Sequence, residues 1–218
     1  MHVTTVRRFL LAITIAALSQ PLFAVSVTPE VTTLGYGLSA GFGITPLFGI
    51  RVAGHTGSYS RNLHKEDLQY NGKMKFNNGG ALLDVYPFAG GFRLSAGAFA
   101  NSNKIDLVSN ENQTFVINGV SYPAGQVGNI TGQVKFNKTS PYAGIGWGTK
   151  PSGRGFGLTF DLGVLYQGSP KLTLTAHPVT NIPPSFYQNL EVERAKTEND
   201  IKNYKYWPVV GIGVSFGF

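Results

Sequence analysis

From Leu34 to Ile44 the chain reads Leu-Gly-Tyr-Gly-Leu-Ser-Ala-Gly-Phe-Gly-Ile, apolar at the even positions apart from small Ala40, and Gly or Ser at the odd ones. The same period of two returns at 48–57. There Phe48, Ile50 and Val52 oppose Gly49, Arg51, Ala53 and His55. It returns at 92–101, where Phe92, Leu94, Ala96 and Ala98 oppose Arg93, Ser95, Gly97 and Asn101, and again at 155–165. Strict alternation is the signature of a strand, because successive side chains point to opposite faces. The pattern predicts strands near 33–44, 48–60, 68–86, 91–106, 129–148, 155–168, 170–177 and 206–218. Turn signals stand at Thr45-Pro46, Pro87 to Gly91 and Thr149 to Arg154. The tips at 61–67 and 108–128 are polar, and Thr114 to Tyr122 has the makings of a small hairpin about Asn118-Gly119.

Two features break the alternation. Gly72-Lys-Met-Lys-Phe-Asn-Asn78 is echoed by Gly132-Gln-Val-Lys-Phe-Asn-Lys138, a weak internal repeat. After Pro183-Pro184 the chain turns charged and helix-friendly from Asn189 to Asn203. Ser185 and Gln188 have capping-box spacing, and Glu198 precedes Lys202 by four. Phe186, Leu190 and Ile201 form only a broken apolar stripe. A short helix outside the strands is expected here.

Composition decides which way the apolar face points. The chain has 28 Gly, 15 Phe and 10 Tyr, with only 13% charged residues. A soluble sandwich also alternates, but its second face is wet and carries Lys, Glu and Thr. Here that face is glycine with isolated Arg and Asp, and glycine weakens a strand unless close approach or curvature is wanted. Several strands also exceed the usual length of about 5–6 residues. Strands that cross hydrocarbon need about 9–11 tilted residues, and in lipid they must close on themselves so that every backbone group is paired.

The start of the chain agrees. Arg7-Arg8, the apolar run Phe9 to Leu18 and a small residue at Ala24 form a secretory signal, expected to be removed after residue 24. Its flanks fit twin-arginine export poorly, and its apolar run is too short to span a membrane. No cysteine is present, so neither disulfides nor a lipid anchor on cysteine is available. The excess of 18 Lys+Arg over 11 Asp+Glu is spread without a basic run, which gives no nucleic-acid signal. Residues 25–218 are read as one domain.

The signal, the glycine/aromatic alternation and a last strand ending in Phe218 resemble the small outer-membrane β-barrels of Gram-negative bacteria, of the OmpA/OmpX/OmpW type. The resemblance implies an all-β fold: one closed antiparallel transmembrane barrel of about eight strands, with a short helix before the last. It also implies that Val210, Ile212, Val214, Phe216 and Phe218 form the signal read by the barrel-assembly machinery. Outer-membrane lipid is the expected surrounding, and no cofactor is implied. One conflict is visible. With eight strands counted from residue 33, the short turns fall at the end opposite Phe218, against the usual rule of short periplasmic turns. If 170–177 is not a spanning strand, they regain their usual side.

An eight-stranded interior has room for side chains or one small ligand. Arg51, Asp84, Arg93 and Asp161 are the expected inward charges, two of each sign, and buried charges are paired. If the first predicted strand closes on the last, their inward rows meet: Gly35, Gly37, Gly41 and Gly43 against Gly211, Gly213 and Gly217. That would leave a smooth seam, filled by long residues opposite (Arg51, Tyr86, Arg93, Phe99) or open to a small solute. For catalysis, His55 is expected inward and Ser58 outward, while His64 and His177 lie in loops, so no nucleophile–base pair is evident. The histidines lack metal-ligand spacing. A structural or surface-interaction barrel with a filled lumen is the first expectation. A narrow channel for small or apolar solutes is the second, and a lipid-modifying enzyme the third.

Overall fold

The computed structural model describes residues 24–65, 68–109, 114–148 and 154–218. The signal segment, most of the turn at 149–154 and the side chain of His64 lie outside the described residues. Eight strands close in a ring. They are β1 (Val25–Thr32), β2 (Gly35–Gly43), β3 (Phe48–Lys65), β4 (Leu68–Val85), β5 (Phe92–Asn101), β10 (Thr139–Trp147), β11 (Gly155–Tyr166) and β13 (Tyr206–Gly217). Each pairs antiparallel with its neighbours, β1 lying between β2 and β13 and β4 meeting β5.

The outer wall carries the apolar set. Leu158, Phe160, Leu162 and Val164 are 45–61% exposed, and Ile50, Val52, Leu83, Leu94, Ile145, Val210 and Ile212 are exposed with them. Arg51, Asp84, Arg93 and Asn101 are buried instead. Apolar outside and polar inside is the inverse of a soluble sandwich, and it suits a wall facing acyl chains. Phe156 and Trp147 mark one rim, while Tyr36, Tyr166 and Tyr206 mark the other, all exposed. From Phe156 to Tyr166 the strand rises roughly 33 Å, which at a tilt near 40° leaves about 25 Å of height, the usual apolar band.

Three of the predicted strands are corrected. The segment 170–177 is not in the ring. It forms β12 (Lys171–His177), paired only with β9 (Asn129–Lys135). The long segments 91–106 and 129–148 each change partner midway. The first becomes β5 and β6 (Lys104–Ser109), the second β9 and β10. The missing eighth strand is β1, where Pro29 and Glu30 interrupt an otherwise alternating run. Pro29 points outward and Glu30 inward, so a residue that argues against a strand and a charge both find a place. This moves every turn to the other end. The short turns at 44–47 and 86–91, and the paired ends of β10 and β11 at Trp147 and Phe160, now lie toward the end that holds Phe218, whose N–H bonds Val25 O at 2.9 Å. That is the arrangement of short periplasmic turns.

At the opposite end β3 and β4 run on without a register break, 18 residues each. Beyond the barrel, β6, β9 and β12 add to the edge of β4. This extension has its own core. The hairpin β7 (Phe115–Ile117) and β8 (Val120–Tyr122) turns through Asn118 and Gly119 with φ of 50° and 79°, as a type I′ turn requires. It packs with the short helix α1 (Ala124–Val127) and with α2 (Pro184–Ile201) around Phe115, Ile117, Val127, Phe186 and Leu190. α2 begins on Pro183 and Pro184 with no side-chain cap, so the expected capping box is not used. Glu198 bonds Arg194 at 2.8 Å and Lys171 at 3.5 Å, not Lys202.

Candidate functional site

The lumen is layered. Toward the Phe218 end it is polar, because the inward positions of β1, β3, β4, β5 and β11 there are charged or hydroxylated. Arg51 Nε donates to Asp84 Oδ2 at 2.9 Å, and its Nη2 donates to Asp84 Oδ1 at 3.2 Å and Ser95 Oγ at 3.1 Å. The same Nη2 lies 3.3 Å from Asp161 Oδ1, and Arg93 Nη2 donates to Asp161 Oδ2 at 2.7 Å. The four charges singled out in the sequence therefore form one chain, Asp84–Arg51–Asp161–Arg93, drawn from four strands. Gly146 makes room for it: a Cβ there would stand 2.7 Å from Arg93 Nε and 2.9 Å from Asp161 Oδ1.

Sequence reasoning missed a fifth charge. Glu30 of β1 is buried, with Oε1 2.8 Å from His55 Nε2 and Oε2 accepting from Ser39 Oγ at 3.2 Å. The signal was present, since Ser26, Thr28, Glu30 and Thr32 alternate with Val27, Pro29 and Val31. Serine and histidine thus share a carboxylate and do not contact each other as a nucleophile–base relay. Ser58 is exposed. No group of three metal-ligating side chains occurs among the described residues.

The expected glycine seam is corrected by the same strand. Gly35, Gly37, Gly41 and Gly43 do not meet Gly211, Gly213 and Gly217, because β1 runs between the two rows. Ser26 lies opposite Gly41 and Gly217, and Glu30 opposite Gly37 and Gly213. The rows are clearance for β1's side chains. A Cβ on Gly41 would stand 2.7 Å from Ser26 Oγ, and one on Gly213 2.8 Å from Thr28 Cγ2. Elsewhere glycine again faces bulk: Gly80 beside Phe99, Gly97 beside Leu82, and Gly144 and Gly163 beside Tyr142. Small against large is how a narrow barrel fills its interior.

Above the charges lies an apolar layer. Leu34, Ala53, Leu82, Phe99, Tyr142, Leu165 and Val209 are buried together, with Phe76 and Trp207 against them. Leu34 is a correction, because it sits in the β1–β2 turn and points inward, fully buried, instead of continuing the outer row. At the junction with the extension Asn78, Asn101 and Asn103 are buried. Asn78 Nδ2 donates to Asn103 Oδ1 at 2.9 Å and Asn101 Nδ2 to Ser140 Oγ at 3.0 Å. A cavity of about 30 Å³ remains in the polar layer, lined by Ser26, Thr28, Glu30, Arg51, Asp84, Tyr86, Arg93 and Ser215 among others. That is room for about two water molecules and too small for an organic solute. On the last strand Val210, Ile212, Val214 and Phe218 are exposed, and the Phe216 ring lies 4.5 Å from that of Phe156 and 4.8 Å from that of Phe218.

No family model matches the chain, and no curated protein matches it. Solved structures do. The crystal structure of Acinetobacter baumannii CarO is 26% identical, covering 92% of this chain and 100% of its own, with a TM-score of 0.60. That of A. baumannii CarO2 is 27% identical, covering 91% and 100%, with a TM-score of 0.61. With the outward apolar band and the closed ring of strands, this likeness locates the molecule: the chain is an integral β-barrel protein of the outer membrane, similar to CarO.

Proposed function

We propose that this barrel is closed to solutes by its own side chains and acts at the cell surface through its extension. The observation that carries the reading is the stack of two buried layers across the lumen, an ion-paired one and an apolar one, with a cavity of only about 30 Å³ in the polar layer. A separate core beneath α2 supports the second half, since a structure with its own packing beyond the barrel rim presents a defined surface to partners. A narrow channel for small solutes is the second reading, favoured by the polar lining of the cavity. His55 lends no support to a lipid-modifying activity, as it is occupied by Glu30 and Ser58 faces away.

Planar-bilayer recording of the refolded protein tests this. A closed lumen gives no unitary current steps at neutral pH in molar salt. Steady, reproducible steps would replace the first reading by the second.

A further inference from the structure

Four neighbouring strands of the extension each place a lysine in one cross-strand row. Lys75 of β4 is opposite Lys104 of β6, Lys104 is opposite Lys135 of β9, and Lys135 is opposite Lys171 of β12. Directly opposite residues point to the same face, so the four ammonium groups share one side of the sheet. Like charges so placed destabilise a sheet. Two carboxylates offset them in part. Asp106 lies 2.8 Å from Lys75 and 4.0 Å from Lys104, and Glu198 lies 3.5 Å from Lys171. Lys135 is exposed and makes no ion pair among the described residues. The internal repeat noted in the sequence has a place here, since its two copies flank β6 and supply Lys75 and Lys135 from equivalent positions.

The level and the facing of the row say what it meets. The β3–β4 register is unbroken, so Lys75 keeps the facing of Leu83, which is 47% exposed on the lipid-facing wall. The row begins two residues, roughly 7 Å, beyond the rung that joins Asn77 and Thr56 to Tyr36. Tyr36 is exposed at the outer rim, and exposed aromatics there mark the headgroup level. The short turns at the other end put this rim in the outer leaflet. The lysines therefore continue the lipid-facing wall where hydrocarbon gives way to headgroups. Four strands set about 4.8 Å apart make a row about 14 Å long.

We propose that this row binds the phosphorylated headgroup of an outer-leaflet glycolipid, the lysines serving as point charges for its phosphates. The site depends on the barrel's orientation and not on a closed lumen, so bilayer recording leaves it untouched.

The test is a titration of the refolded full chain in detergent, followed by native mass spectrometry. The probes are lipid A carrying its phosphates, dephosphorylated lipid A and inorganic phosphate. Saturable binding of phosphorylated lipid A is expected, weakened at least tenfold by K75Q/K104Q/K135Q/K171Q, retained when the four are arginine, and weakened by salt. Dephosphorylated lipid A binds at least tenfold more weakly. Equal binding by the wild type and the glutamine variant, or equal binding of the dephosphorylated lipid, overturns the proposal. Inorganic phosphate that competes at the lipid's own concentration overturns the assignment to a lipid. Heat-shift electrophoresis checks folding, which relief of the like-charge row should leave intact. Should that variant not fold, the pair Lys135→Glu and Lys171→Glu, both exposed, must give the same loss.

Discussion

Asp161 holds two arginines at once, one on each carboxylate oxygen. Removing it leaves Arg93 without the carboxylate it pairs with, while Arg51 keeps Asp84, and breaking a buried ion pair in this way costs about 3–5 kcal/mol. Asp161→Ala is therefore expected to lower the urea midpoint and the temperature of the electrophoretic heat shift well below those of the wild type. A conductance gained at the same time would show that the pair also closes the lumen. The four inward charges could be named in advance because each falls on the glycine side of an alternating strand. Which cation met which anion could not, because Arg51 and Asp161 are brought together only by ring closure. Glu30 was passed over for a local reason: it follows a proline, which argues against a strand even though the Val and Thr around it alternate.

Among the elements, α2 is the one whose docking rests on single contacts. Its Phe186 is fully buried in the extension's core, and Phe186→Ala should cost that unit about 3–5 kcal/mol. The barrel shares no core residue with it. Limited proteolysis should thus open the extension while the heat shift of the barrel is unchanged. Acid should loosen the same docking. Glu198 accepts from Leu172 N at 3.0 Å, and that bond, with the nearby Lys171 and Arg194, holds its carboxyl below the ordinary range. Asp106 is lowered by its hydrogen bonds from Lys75 and Gln133. Both groups have folded values below the unfolded ones, so their contribution is present above about pH 4–4.5 and is lost as pH falls through the lowered values. The protection factors of amides in α2 and β12, after division by the intrinsic pH-dependent exchange rate, should fall below pH 4 and stay constant between pH 6 and 8. Glu198→Gln should show the lower protection already at neutral pH.

For the whole molecule, the hairpin type, the outward apolar rows and the need for closure were legible in the chain. Period, glycine and turn chemistry are local, and a strand's facing follows from its own residues. The strand ring was not. Segments such as 91–106 and 129–148 read as single long strands, yet each changes partner midway, at Asn101 to Lys104 and Lys135 to Thr139. The polar stretches Asn101 to Lys104 and Asn137 to Ser140 break the period there, but they do not say which strand each half joins, and the lysine row exists only through the new pairing. By itself, then, the sequence determined that the protein is a β-structure apolar on its outside, since alternation and composition are properties of short stretches. The tertiary structure alone decided which eight strands form the wall, which side the turns take, how the glycine rows are filled and where the charges converge. Those depend on register between residues far apart in the chain, where hydrogen bonding is equally good for many pairings and only packing across the closed lumen distinguishes them.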